Sequence, residues 1–263
     1  MTAFPLVLAD SATMLRRNLI HARRYPSLTL IVAAIPIVMY LLFVFVFGST
    51  LGDGLAEASG GREAYIAYVT PGILLLAIAG GSQGTAISIS MDMTQGIIAR
   101  FRTMSIPRSV VLAGHVVGSV IQTMVGLALV VVVAVVTGFR PTTGVVEILG
   151  AVAMLALASF ALTWLSVALG MVPKSVEAAS NLPMPLILLP FFGSGFVPTD
   201  TMPGPVAWFA EYQPFTPIIE TVRGLLLGTP IGWNGVIAIG WCLAISLVGY
   251  LWSMRLYNRG PIR

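Results

Sequence analysis

Long uncharged runs alternate with short charged stretches along this chain. Residues 28–48, 64–91, 109–139, 148–173, 178–199 and 231–254 contain no Asp, Glu, Lys or Arg. Each run approaches or exceeds the roughly 20 residues that carry a helix across a bilayer. The pattern predicts an all-α polytopic membrane protein: one domain over residues 1–263 with six transmembrane helices. The fifth run differs from the others, because Pro183, Pro185 and Pro190 interrupt it. Proline removes an intrahelical hydrogen bond and kinks the helix, and a membrane tolerates this only where neighbours satisfy the freed carbonyls. The fifth helix is therefore expected to be packed inside the protein.

The short charged stretches predict an orientation. Basic residues concentrate on the cytoplasmic side of a membrane protein. With the N terminus inside, the inner segments hold Arg16, Arg17, Arg23, Arg24, Arg100, Arg102, Arg108, Lys174, Arg255, Arg259 and Arg263, and the outer segments hold only Arg62, Arg140 and Arg223, a split of 11 to 3. Both termini then lie in the cytoplasm of a multi-pass protein of the plasma membrane.

Three polar-flanked segments have helical patterning without the length to span. Residues 5–25 carry Leu8, Ala12, Leu15, Leu19 and Ala22 at helical spacing, with Arg16, Arg17, Arg23 and Arg24 mostly on other faces. This is the pattern of an interfacial helix lying among headgroups, in contact with membrane lipid. Residues 92–106 carry Met93, Ile97, Phe101 and Met104 on one stripe, with Gln95 and Arg102 on another face, and Pro107 stops the helix. A loop that merely lies on the membrane and a helix that docks a cytoplasmic partner both fit this pattern. Residues 203–228 form a third unit on the outer side, with short helices near Gly204–Tyr212 and Pro217–Leu227. Trp208, Phe209, Tyr212 and Phe215 suit the headgroup level, where aromatic side chains gather, so the two helices are expected to re-enter the outer leaflet. Glu220 and Arg223 are three residues apart and can pair on one helix face.

Composition supports lipid as the main solvent: 57% of residues are hydrophobic and 9% charged, against about 25% charged in soluble domains. The mean hydropathy is +0.94 and the isoelectric point near 9.6. The basic residues sit beside apolar runs, which points to membrane rather than nucleic acid. No cleavable signal peptide is evident in the arginine-rich start.

Candidate chemistry is sparse. The stretch "GGSQGT" at 80–85 has glycines but no lysine of a phosphate loop, so ATP is not expected on this chain. His21, His115 and Cys242 do not make a metal-ligand set. An intramembrane serine protease would need Ser194 to meet His115, yet the predicted spans separate them by roughly 20 Å at 1.5 Å per residue. No predicted span holds an Asp, Glu, Lys or Arg to bind a coupling ion at mid-membrane. A self-powered or passive transporter or channel, and a membrane scaffold, remain as alternatives to a transporter driven by a separate motor.

Several stretches resemble the permease subunits of type-2 ABC exporters, particularly the daunorubicin-resistance-like branch. They are the arginine-rich helix before the first span, "GIIARFRTMSIPRSVVLAGHVV" at 96–117, and "FVPTDTMPGPVAWFAEYQPFTPIIETVRGLLLG" at 196–228. The loop departs from the family pattern at Ala99, where an acidic residue is usual. The resemblance implies a non-enzymatic transport subunit that exports a lipophilic drug, antibiotic or lipid. It implies a second permease, identical or not, and two cytoplasmic ABC ATPase subunits that carry the ATP and magnesium; no cofactor belongs to this chain. Residues 92–106 would be the coupling helix, with Asp92, Gln95, Gly96, Ile97, Arg100, Phe101, Arg102 and Met104 at the ATPase interface. Ser82, Gln83 and Thr85 of span two, and Met184, Phe191, Phe192 and Ser194 of span five, become candidates to face the path. Small and hydroxyl residues also serve as ordinary glue between membrane helices.

Overall fold

The computed structural model describes residues 26–53, 61–95, 108–173 and 175–259, and all regular structure among them is helical. The predicted interfacial helix at 5–25 and loop residues 96–107 lie outside the described residues. Five described stretches are long and apolar enough to cross a membrane: Ala34–Gly52, Gly61–Thr94, Leu112–Val136, Val145–Met171 and Asn234–Asn258. They coincide with five of the six uncharged runs.

The first span begins as α1 (Pro26–Leu42), widens into a π-helical turn over Phe43–Phe47 and closes as α2 (Gly48–Asp53). The next helix, α3 (Gly61–Thr94), is the axis of the fold. Every residue from Val69 to Ala79 in it is buried, because α1, α4 (Arg108–Val136), α5 (Val145–Met171) and the outer segments surround it. A helix that is apolar all round needs such a jacket. At 1.5 Å per residue, α3 is about 50 Å long and outreaches a hydrocarbon core of about 30 Å. Its two ends therefore carry polar groups, Glu63 at one and Asp92 at the other. The last helix, α10 (Asn234–Arg259), packs chiefly on α5.

The fifth run is not one kinked helix. It breaks into α6 (Val176–Asn181), α7 (Met184–Leu188) and a tighter 3-10 turn at Leu189–Phe192. The three prolines that fall in or beside these pieces each lack an N–H and clash with the preceding turn, so three in close succession segment the helix rather than bend it. Ser175 caps α6 by accepting from the Ala178 N–H at 3.2 Å. This segment is also not enclosed as expected. It lies along α3, but Met184 and Leu188 are 53% and 54% exposed and α7 has no buried residue within this chain.

Beyond the break come α8 (Gly204–Tyr212) and α9 (Phe215–Leu227), close to the expected pair of short helices. Phe215, Ile218, Ile219, Val222 and Leu226 recur at helical spacing and bury one face of α9. Gly228 ends that helix in the left-handed region, φ +75°, where its N–H bonds the Gly224 carbonyl at 2.9 Å. The loop between α4 and α5 is tied to this end of the molecule. The Thr143 hydroxyl donates to the Leu225 carbonyl at 2.7 Å, and the Thr142 N–H to that of Leu226 at 3.1 Å.

Two apolar clusters hold the bundle together. The larger fills the centre and the α9 end around α3; the smaller, made of Ile89, Leu112, Val116, Trp164, Val167, Met171 and Tyr257, closes the opposite end. Close approach needs small residues. A Cβ on Gly72 would stand 2.7 Å from the carbonyl carbon of Gly195, and one on Gly249 would stand 2.6 Å from the Leu165 nitrogen. Such glycines let membrane helices meet backbone to backbone. Large apolar side chains cover the outside, including Ile35, Val38, Val46, Val132, Leu243 and Leu247. Exposed apolar surface on this scale suits lipid or a second subunit, not water.

Candidate functional site

Breaking a helix leaves carbonyls without their intrahelical donors. Four side chains from other elements supply the donors. Gln83 Nε2 reaches the Ser180 carbonyl at 2.7 Å, Gln213 Nε2 that of Leu189 at 3.2 Å, Arg223 Nη2 that of Ser194 at 2.7 Å, and the Tyr65 hydroxyl that of Phe196 at 3.4 Å. Thus α3 and the outer helices together cap the broken segment.

Arg223 is the centre of this node. It is 7% exposed, and its guanidinium lies 4.0 Å from the centroid of the Tyr68 ring. Besides Ser194, Nη2 donates to the Tyr68 carbonyl at 3.1 Å, while Nη1 bonds the Glu220 carboxylate. The expected Glu220–Arg223 pair is present, and the structure extends it to two further elements. Arginine suits this task, because its planar fork places several donors at fixed angles and stacks on aromatic faces. The Thr216 hydroxyl accepts from the Ser194 N–H at 3.3 Å. Three buried atoms in the node lack a partner: Ser194 Oγ, Gln213 Oε1 and Arg223 Nε.

At the opposite end of α3 lies a second polar contact. Asp92 Oδ2 and His115 Nε2 are 3.2 Å apart, with side chains only 11% and 8% exposed. Asp92 is two residues from the end of α3, and His115 stands about two turns into α4. The pair joins the two helices that residues 96–107 connect. Ile89 and Leu112, one turn from each partner, pack in the smaller apolar cluster beside it.

The expected site residues fall into separate places. Of the ATPase-interface set, Gly96, Ile97, Arg100, Phe101, Arg102 and Met104 lie outside the described residues, as do Arg16, Arg17, Arg23 and Arg24. Gln95 is exposed, whereas Asp92 is turned inward onto His115. Among the path candidates, the Ser82 and Thr85 hydroxyls donate to carbonyls of their own helix, at 2.7 Å and 3.4 Å. Gln83 and Ser194 belong to the capping bonds just described. Phe191 stacks on Phe196 with centroids 4.6 Å apart, and Phe43 of the π-turn lies 4.7 Å from Phe196. Met184 and Phe192 are exposed. Sequence reasoning missed Gln213 and Tyr65, whose side chains donate to backbone carbonyls, Tyr68, whose carbonyl and ring both meet Arg223, and the partner of His115. A lone histidine in an apolar run was the available signal for the latter, since such groups seek partners in membranes. Among the described residues, no three of His, Cys, Asp and Glu gather where they could hold a metal ion.

Fold and nodes together define a multi-pass helical membrane protein whose polar groups serve to hold helices. The profile of the ABC-2 type transporter family matches residues 11–227, and the chain belongs to that family. It is the membrane subunit, the permease, of an ABC exporter. The chain is similar to the "Daunorubicin resistance ABC transporter permease protein DrrB1" of Streptomyces coeruleorubidus, 29% identical over 95% of this chain and 87% of that one. It is also similar to the "Probable doxorubicin resistance ABC transporter permease protein DrrC" of Mycobacterium tuberculosis, 23% identical over 90% of this chain and 84% of that one.

Proposed function

We propose that this permease exports a lipophilic drug-like molecule, antibiotic or lipid, driven by two copies of a cytoplasmic ABC ATPase that carry the ATP and magnesium. Two permeases, identical or related, form the membrane part. The reading includes six crossings, with α6, α7 and the following turn as the fifth, and both termini in the cytoplasm. The loop that follows α3, through residue 106, acts as the coupling helix and 5–25 as an interfacial helix on the lipid headgroups. Substrate moves between the two permeases along the faces of the first span, α3 and the broken segment.

The observation that carries the reading is the family match over 11–227, which takes in most of the arginine-rich start, the loop and the outer helices at once. The uncovered faces support it: α7 and the first span expose Met184, Leu188, Val38 and Val46, as a partner-facing surface would. The resistance names of the two relatives support a drug-like cargo. A self-powered carrier is less well served, because the buried Asp92–His115 pair stands at a helix end rather than at mid-membrane.

The test is purification of the tagged chain from its native membrane in mild detergent, followed by reconstitution with the proteins that accompany it. An ATPase is expected to co-purify and to drive doxorubicin into inside-out vesicles. Phe101→Ala with Arg102→Ala should lower that uptake by about tenfold, an ordinary size for coupling between sites. A chain that elutes alone, without ATPase activity, would overturn the motor-driven reading. In intact cells, a cysteine at exposed Thr142 should label from outside and one at Ser105 should not; the reverse pattern would overturn the orientation.

A further inference from the structure

We propose that Asp92 and His115 are a positioning pair that makes α3 and α4 move as one body when the cytoplasmic loop between them is pushed. The inference rests on the exporter reading and adds to it a device within the permease itself.

A force applied at residues 96–107 enters the membrane part through two helix ends, Thr94 of α3 and Arg108 of α4. Apolar contacts alone hold such ends weakly in register, because they are non-directional. The smaller cluster beside the loop, built on Ile89, Leu112 and Val116, is of that kind. The Asp92–His115 contact is different. At 3.2 Å, with both side chains about nine-tenths buried, it pairs two particular polar atoms and is poorly screened by solvent. Polar contacts of this type are best attested as devices that fix register rather than as sources of stability. Its placement is specific too. Asp92 precedes the loop by one helical turn, and His115 lies far enough into α4 to be beyond the end that receives the load. The inner end is closed further by Trp164, Val167 and Met171 of α5 and Tyr257 of α10, so a fixed α3–α4 unit would carry those helices with it. Toward the other end, α3 reaches the Arg223 node through Tyr68. The pair therefore stands at the head of a continuous packed route from the loop to the outer helices. Asp92 acts through His115 and has no need to touch the ATPase.

The experiment is hydrogen exchange read by mass spectrometry on the complete complex, nucleotide-free and trapped with ATP and vanadate, with ATP hydrolysis measured in parallel. In the wild-type complex, trapping is expected to change exchange both around the loop and in Gly204–Leu227. Asp92→Asn, which keeps size and hydrogen bonding, and His115→Gln should each hydrolyse ATP within about twofold of wild type, while the outer change falls by about tenfold. The exchanged pair, Asp92→His with His115→Asp, should recover most of it, which a merely structural loss would not. Full transmission to the outer helices in both single variants would overturn the proposal. So would loss of the ATPase from both variant complexes, which would assign the pair to assembly. A wild-type complex that shows no nucleotide-dependent change anywhere would sink the exporter reading first, and this proposal with it.

Discussion

The Arg223 node and the Asp92–His115 pair, at opposite ends of α3, solve different problems with similar materials. At one end, Arg223 satisfies backbone carbonyls of two other elements and the carboxylate of Glu220, so it repairs a helix that prolines have broken. At the other end, Asp92 and His115 join two intact helices side chain to side chain. The Arg223 node is a consequence of the chain path: remove it and buried carbonyls lose their donors. The Asp92–His115 pair is optional for helix formation, since α3 and α4 keep their own backbone bonds without it. Burial alone does not distinguish a structural polar group from a functional one; what each group bonds does.

That contrast can be tested by substitution. The largest effect is expected for Arg223→Leu, which leaves the Glu220 carboxylate and the Ser194 and Tyr68 carbonyls without their donor. Leaving a buried acceptor without its donor costs about 1–3 kcal/mol, and two carbonyls lose theirs here, enough to deplete the folded chain. The measurement is the yield and thermal denaturation of the chain in detergent. Stability indistinguishable from wild type would place the repair elsewhere. Asp92→Asn should cost far less, about 1 kcal/mol, the net worth of one hydrogen bond. A loss as large as that of Arg223→Leu in the same assay would erase the distinction between the two ends. The smallest effect is expected for Ser194→Ala. Its hydroxyl is buried without a partner, so deleting it should change stability by less than about 0.5 kcal/mol, or raise it slightly. A marked loss would mean that this hydroxyl has a partner in the membrane, water or cargo, and would draw the Arg223 node toward the transport path.

Legibility in the sequence followed how local each feature was. The uncharged runs marked all five long helices to within a few residues, because length and apolarity act residue by residue. The two outer helices were readable from their prolines, and the Glu220–Arg223 pair from spacing three apart, which helix geometry makes a contact. Segmentation of the fifth run was only half readable. Three prolines announced a distortion, but not whether the helix would bend or break; the break is met by donors from Gln83, Gln213 and Arg223. Those donors come from positions between 24 and 97 residues away in the chain, apart from the Tyr65–Phe196 bond at 131.

Sequence by itself determined that this chain lives in a membrane, roughly where its five long apolar helices fall, and which family it resembles, since all three are carried by residue type and short-range order. Tertiary structure alone decided which polar groups are partners. The packing of α3 on α4 turns Asp92 onto His115, the broken segment presents the Leu189 carbonyl to Gln213, and α9 brings Arg223 onto the carbonyl and ring of Tyr68. In a medium without water, a polar group must take whichever partner the packing brings within about 3 Å. That partner is set by how helices cross, which no local pattern in the chain encodes.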